Sequence, residues 1–113
     1  ENQSLREGLI GMNAALYRKN SYHAQEIGQA SMGIRVLGCA GLDFIAIIKG
    51  TQIGYVSMLS PWDYAAGTIM MEQLGMSFTG KNQKPLSFQG REFFIGATQA
   101  AMAEIQAFDE DNR

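Results

Sequence analysis

Short apolar runs alternate along this chain with longer segments whose apolar residues recur at helical spacing. The short runs predict strands over residues 5–13, 33–38, 53–58, 76–79 and 92–97. The longer segments predict helices over residues 21–32, 39–49, 60–75 and 99–108. Because strands and helices alternate, we expect an α/β fold with a mostly parallel sheet sandwiched between helices.

The two middle helices have the clearest sequence signals. The helix over 39–49 is apolar on nearly all sides, which predicts burial on more than one side, and Gly50 is suited to end it. The next helix has Ser60 as its N-cap, Pro61 at its first position and Asp63 three residues after the cap. The 80–90 segment is predicted to be a turn-rich loop and not a linker, so residues 1–113 form one domain.

Composition and charge narrow the functional class. Of the 113 residues, 46% are hydrophobic and 18% are charged, which is typical of a globular domain with its own core. The formal charge of -2, with scattered basic residues, favours neither nucleic acid nor a membrane as partner. Every apolar run falls short of the ~20 residues that span a bilayer. One cysteine, Cys39, excludes an internal disulfide and favours a cytoplasmic location.

Asp63 is the first candidate for chemistry, and it has two interpretations. In the structural one, its carboxylate bonds back to the cap residue and stabilises the positive end of the helix dipole. In the functional one, it points into a crevice at the carboxyl ends of parallel strands, where open α/β sheets bind ligands. Mg²⁺ prefers such oxygen ligands, but one carboxylate does not make a magnesium site.

Three segments in register resemble the inositol monophosphatase family. Residues 62–67, Trp-Asp-Tyr-Ala-Ala-Gly, followed by an apolar run and Gly75, are similar to its carboxyl-terminal signature. The 33–43 segment is similar to the family's Arg-x-x-Gly-Ser/Thr-Ala strand-to-helix turn, and Gly54-Tyr55 matches the strand before the signature. The resemblance covers residues 5–108, so the chain is identified as the carboxyl-terminal domain of such a protein.

The resemblance implies an Mg²⁺-dependent hydrolase that acts on a small-molecule phosphate ester. Asp63 would be the catalytic metal ligand of this chain, and Gly38, Cys39 and Ala40 would line the substrate pocket. In the family, Mg²⁺ polarises the phosphate and activates a water for in-line attack. The remaining metal carboxylates, on a Glu and an Asp-Pro-Ile-Asp-Gly-Thr-like segment, belong to an amino-terminal half that is absent from these residues.

The chain departs from the family pattern at three positions. Val56 stands seven residues before Asp63, where inositol-specific members have a Glu, so a preference for myo-inositol phosphate is in doubt. Cys39 replaces a Ser or Thr, which exchanges a good hydrogen-bonding hydroxyl for a weak one. Met76 replaces a small residue, and we expect no consequence.

Three other side chains could take part in chemistry, and each has a simpler structural interpretation. Cys39 at a helix start could be a nucleophile, but a semi-buried core role is preferred. His23, the only histidine, is predicted on the surface of the first helix. Asp43 lies in an apolar helix, where capping or pairing with Arg35 is preferred over a site role.

Three functional hypotheses follow. The first is a phosphatase whose missing amino-terminal half completes the site and which we expect to form a homodimer; the isolated chain would then be inactive. The second is a non-catalytic module that keeps the fold and associates with itself or a partner. The third is a thiol-dependent enzyme using Cys39. We interpret Glu1 as a cut end. The reading frame upstream of Glu1 therefore distinguishes the first two hypotheses.

Overall fold

The computed structural model describes residues 2–81, 84–87 and 89–111, except the side chains of 109–111. The strands of this part of the chain are β1 (Leu9–Met12), β2 (Gly33–Arg35), β3 (Gly54–Leu59), β4 (Ser77–Thr79) and β5 (Glu92–Ala97). The helices are α1 (Ala14–Lys19), α2 (Ala24–Ala30), α3 (Ala40–Ile48), α4 (Pro61–Gln73) and α5 (Gln99–Asp111). Single 3-10 turns at Leu5–Glu7 and Ser21–His23 precede β1 and α2.

The strands form one mixed sheet in the order β2-β1-β3-β5-β4. β1 pairs in parallel with β2 and β3, whereas β5 is antiparallel to both β3 and β4. β1 to β4 therefore run in one direction and β5 in the other. The α/β class and the mostly parallel strand direction are confirmed, but half of the neighbouring pairs are antiparallel, because β5 lies between β3 and β4.

Helices cover both faces of the sheet and bury two apolar clusters. One cluster joins α1, α2 and α5 to the sheet through residues such as Ile10, Val56 and Ile95. The other joins α3 and α4 to the opposite face through Phe44, Tyr64, Met71 and Phe94, among others. Alternation along β3 produces this division, since Val56 belongs to the first cluster and Tyr55 and Leu59 to the second.

Two details differ from the sequence-based expectation. α1 was missed, although the Asn13 side chain caps it by accepting from the N–H groups of Ala15 and Leu16. Asn20, at φ 50°, ends this helix before the predicted first helix begins. α5 extends through Asp111, beyond the predicted end at residue 108.

The prediction that α3 is buried on more than one side is confirmed, since α3 packs on β3 with one side and on α4 with another. A third apolar side is not covered by the described residues, and Leu42, Ile45 and Ile48 on it are 52%, 47% and 57% exposed. Among the described residues, no helix has both the length and the apolar character needed to cross a membrane.

Candidate functional site

A crevice of about 400 Å³ opens where the parallel strands β1, β2 and β3 end. This is the position at which α/β sheets bind ligands, because the loops that follow the strands diverge there. The polar residues that line it are Asn13, Asp43, Tyr55, Ser57, Asp63 and Arg91. The crevice therefore brings together groups from β1, β3, α3, α4 and the segment before β5.

Asp63 lies in the first turn of α4 and lines this crevice. The helix begins as predicted, with Ser60 at the N-cap and Pro61 at the first position. The Ser60 hydroxyl donates to Asp63 Oδ2 at 3.1 Å and makes no bond to the helix backbone. Asp63 is exposed, and the described residues offer its Oδ1 no donor. The carboxylate is thus held from one side and open on the other.

The turn between β2 and α3 forms a second wall of the crevice. Gly38 adopts a φ of +71°, which glycine reaches at little cost, and Cys39 is the N-cap of α3. Gly38 and Ala40 line the crevice together with Asp63, whereas Cys39 is not among its lining residues. Cys39 is exposed, so its prediction as a semi-buried core residue is wrong. The physical reason is that an N-cap residue precedes the packed face of its helix.

Two contacts fix the position of α4, and hence of Asp63. The buried Tyr64 hydroxyl donates to the Gly90 carbonyl at 2.9 Å and lies 3.0 Å from Glu92 Oε2, which ties α4 to the start of β5. One turn further along, Gly67 lies against the ring of Phe44 on α3, and a Cβ at this position would overlap that ring. The glycine of the sequence motif therefore permits the close approach of α3 and α4.

Asp43 is a buried carboxyl group beneath the crevice. It is 2% exposed, and its Oδ1 accepts from Gln52 Nε2 at 3.1 Å. Burial raises the pKa of Asp43, an effect that the Gln52 bond and the charge of Arg35 partly oppose. Gly11 on β1 leaves the space for this pair, since a Cβ there would overlap both side chains. Pairing of Asp43 with Arg35 was predicted from the sequence, whereas the Gln52 bond was not; a glutamine just before an apolar strand was the available signal.

The Asp43→Asn variant is expected to change the pH dependence of stability. Asp43 is charged in the unfolded chain above its ordinary pKa of 3.8, whereas burial raises the folded pKa above that value. The unfavourable contribution is therefore absent below pH 3.8 and complete above the raised pKa. We expect the wild type to lose stability relative to Asp43→Asn as the pH rises from about 4 to 7, measured by urea denaturation. A constant difference across that range would contradict this assignment.

Tyr55 and Ser57 line the crevice, but neither was predicted as a site residue; Tyr55 was matched only as part of the strand before the signature. They are 5% and 4% exposed and lie two residues apart on β3, so they share the face towards α3 and α4. Burial raises the pKa of Tyr55, and nearby Asp43 and Asp63 add to this, while a hydrogen bond from Ser57 lowers it. The available signal was alternation on β3, the strand before the 62–67 motif, where Tyr55 and Ser57 alternate with a core position. Val56, between them, is fully buried on the other face.

The described residues do not by themselves form a magnesium site. Among them, no three His, Cys, Asp or Glu side chains gather closely enough to hold a metal ion. Asp63 supplies one exposed carboxylate, and Asp43 is engaged with Gln52. Since Mg²⁺ demands near-octahedral oxygen ligation, this donor set can contribute to a metal site but cannot complete it.

In sequence, the chain is similar to a characterised phosphatase. No family model matches it. The inositol-1-monophosphatase of Bacillus subtilis (strain 168) is 28% identical over 89 residues, which are 74% of this chain and 34% of that protein. The chain thus spans about a third of the length of this relative.

In structure, the chain is similar to several solved phosphatases. Inositol monophosphatase-II from Staphylococcus aureus MSSA476 superimposes with a TM-score of 0.81 and 22% identity, over 95% of this chain and 41% of that one. An IMPase/NADP phosphatase complexed with Mg²⁺ and phosphate gives a TM-score of 0.76 and 24% identity, over 94% and 40%. The family resemblance inferred from the sequence is thereby confirmed: this chain has the phosphatase fold of the inositol monophosphatases and resembles them in sequence along most of its length.

Proposed function

We propose that this chain is the carboxyl-terminal part of an Mg²⁺-dependent phosphatase that hydrolyses small phosphate monoesters. In this proposal Asp63 is one of several metal ligands, and Gly38, Cys39 and Ala40 form the substrate side of the pocket. The remaining ligands come from an amino-terminal half of the same protein. A cytoplasmic location, inferred from the single cysteine, is part of the proposal.

The observation that supports this proposal most is the meeting of two sequence motifs in one crevice. Asp63 at the start of α4 lies 23 residues after Ala40 in sequence, yet Asp63, Gly38 and Ala40 line the same space. Asp63 is exposed there, with one carboxylate oxygen bonded to Ser60 and the other open. Capping a helix does not require a carboxylate to line a crevice, so the position of Asp63 favours a role in ligand binding.

An exposed apolar surface supports the presence of a further half. Leu42, Ile45 and Ile48 recur every third residue on one side of α3, and Ile69 on α4 is 62% exposed. Several large apolar side chains exposed on one side of a helix normally mark a contact with another structural unit. The inositol monophosphatase relatives are more than twice as long as this chain, and we assign their additional length to the partner of this surface.

The proposal predicts that activity needs the intact protein. We expect the intact protein to release phosphate from small esters with Mg²⁺ and to lose this activity in excess EDTA. The 113-residue chain alone should show no activity above background, because one carboxylate holds Mg²⁺ weakly at best. The measurement is a colorimetric phosphate-release assay with both proteins. Equal rates for the two, or no Mg²⁺ requirement, would contradict the proposal.

The alternative is a non-catalytic module in which the same apolar surface binds a second copy of this chain. Analytical ultracentrifugation of the chain and of its Ile45→Lys variant separates the two. A dimer that this variant dissociates, together with an upstream reading frame lacking metal ligands, would favour the module. A homodimer of the intact protein is also compatible with a catalytic role, and we still expect the intact protein to be a homodimer.

A further inference from the structure

The geometry points to Arg91 as a specificity-determining residue that binds a second anionic group of the substrate, remote from the phosphate that is hydrolysed. This inference rests on the proposed phosphatase function and adds a substrate class to it. The substrate would be a phosphate monoester that also bears another phosphate or a carboxylate.

Arg91 reaches the crevice from the side of the sheet opposite to β2. Glu92, the first residue of β5, is the register partner of Leu59, the last residue of β3. One step beyond this pair, Arg91 therefore lies beside the Ser60 cap of α4, close in space to the turn that contains Asp63. Both Arg91 and Asp63 line the crevice, whereas Gly38 and Ala40 line its far wall.

The guanidinium group of Arg91 is not used by the fold. Its side chain is exposed, and in the part of the chain that the structure describes it has no ion-pair partner; the ion pair found there joins His23 and Glu26. The adjacent Glu92 carboxylate is held by other donors, namely the Tyr64 hydroxyl and the Ser87 backbone and hydroxyl. A cation that lines a crevice without an internal partner is available to a ligand.

The charge of the crevice indicates what that ligand group is. Arg91 is the only Lys or Arg among the described residues that line it, and its planar guanidinium matches phosphate and carboxylate oxygens in bidentate fashion. The crevice therefore offers a cationic donor to an anionic group of a ligand.

Matched substrate pairs test this inference in the intact protein. Fructose 1,6-bisphosphate is compared with fructose 1-phosphate, and 2-phosphoglycerate with glycerol 2-phosphate, so that the two pairs distinguish a second phosphate from a carboxylate. We expect the wild type to prefer the anionic member of at least one pair by about tenfold or more in kcat/KM. Arg91→Ala should reduce kcat/KM for that member about 10- to 100-fold and for its partner less than about twofold. Arg18→Ala, at an exposed site on α1 outside the crevice, is the control.

Each other outcome has a definite meaning. Equal losses on both members of a pair, or no loss on either, would overturn the role of Arg91 and leave the phosphatase proposal intact. A wild-type protein that shows no preference in either substrate pair would also overturn the role of Arg91 and leave the phosphatase proposal intact. If neither pair is hydrolysed, and no other small ester is, the proposed function fails and this inference fails with it. Unchanged thermal unfolding of Arg91→Ala excludes a folding defect as the cause of a selective loss.

Discussion

Replacing Asp63 by Asn in the intact protein is expected to lower kcat/KM for phosphate-ester hydrolysis about 100-fold or more. The amide keeps the size of the side chain and an oxygen that can accept from the Ser60 hydroxyl, so α4 should begin as before. It removes the negative charge, however, and a neutral amide is a much weaker ligand for Mg²⁺ than a carboxylate. Losing several kcal/mol of charge stabilisation in the transition state corresponds to a rate loss of about this size.

The measurement is steady-state hydrolysis as a function of Mg²⁺ concentration. Asp63→Asn should need more Mg²⁺ to reach its reduced maximum, while thermal unfolding stays close to the wild type. Glu72→Gln is the matched control, since it removes an exposed carboxylate from the same helix at a residue outside the crevice. A variant with near-normal rates and an unchanged Mg²⁺ requirement would show that Asp63 only stabilises the helix start.

Replacing Gly67 by Ala is expected to destabilise the fold by about 1–3 kcal/mol. An added methyl group would overlap the Phe44 ring, with its Cε1 only 2.8 Å away. Phe44 cannot easily yield, because it is buried and makes edge-to-face contacts with Tyr55 and Phe94 at centroid distances of 5.5 and 5.9 Å. The strain must therefore move α4 away from α3, which also displaces Asp63.

Gly41→Ala on α3 is the control for Gly67→Ala. A Cβ at position 41 has Cys39 Sγ at 3.8 Å as its nearest neighbour, which is ordinary contact. There the loss of glycine flexibility dominates, so Ala should stabilise the chain by up to about 1 kcal/mol. Urea denaturation of both variants measures the two effects. Gly67→Ala as stable as the wild type would contradict the packing described for the motif.

Local sequence patterns predicted much of the fold. β5 begins and ends at the predicted residues, and the Ser60-Pro61 start of α4 is as expected, because strand alternation and helix caps are local signals. The antiparallel pairing of β5 could not be predicted in this way, since strand order depends on contacts between distant segments. The burial of α3 on more than one side was predicted, but its sequence does not reveal which apolar side lacks a partner within these residues.

The candidate site was predicted only in part, for a related reason. Motif resemblance identified Asp63 and the Gly38–Ala40 turn, and the structure brings Gly38 and Ala40 together with Asp63 in one crevice. The Gln52 bond to Asp43 and the place of Arg91 depend on how β1, β3 and β5 lie side by side. Spacing along the chain contains no such information, so these residues became visible only in the folded structure.

A crystal structure of the intact protein grown with Mg²⁺ and inorganic phosphate would test the central claim most directly. We predict an Mg²⁺ ion with an Asp63 carboxylate oxygen at about 2.0–2.1 Å, and with its other protein ligands outside these 113 residues. The phosphate should lie in the crevice between Asp63 and the Gly38–Ala40 turn. A metal and phosphate bound elsewhere, with Asp63 bonded only to Ser60, would contradict the account.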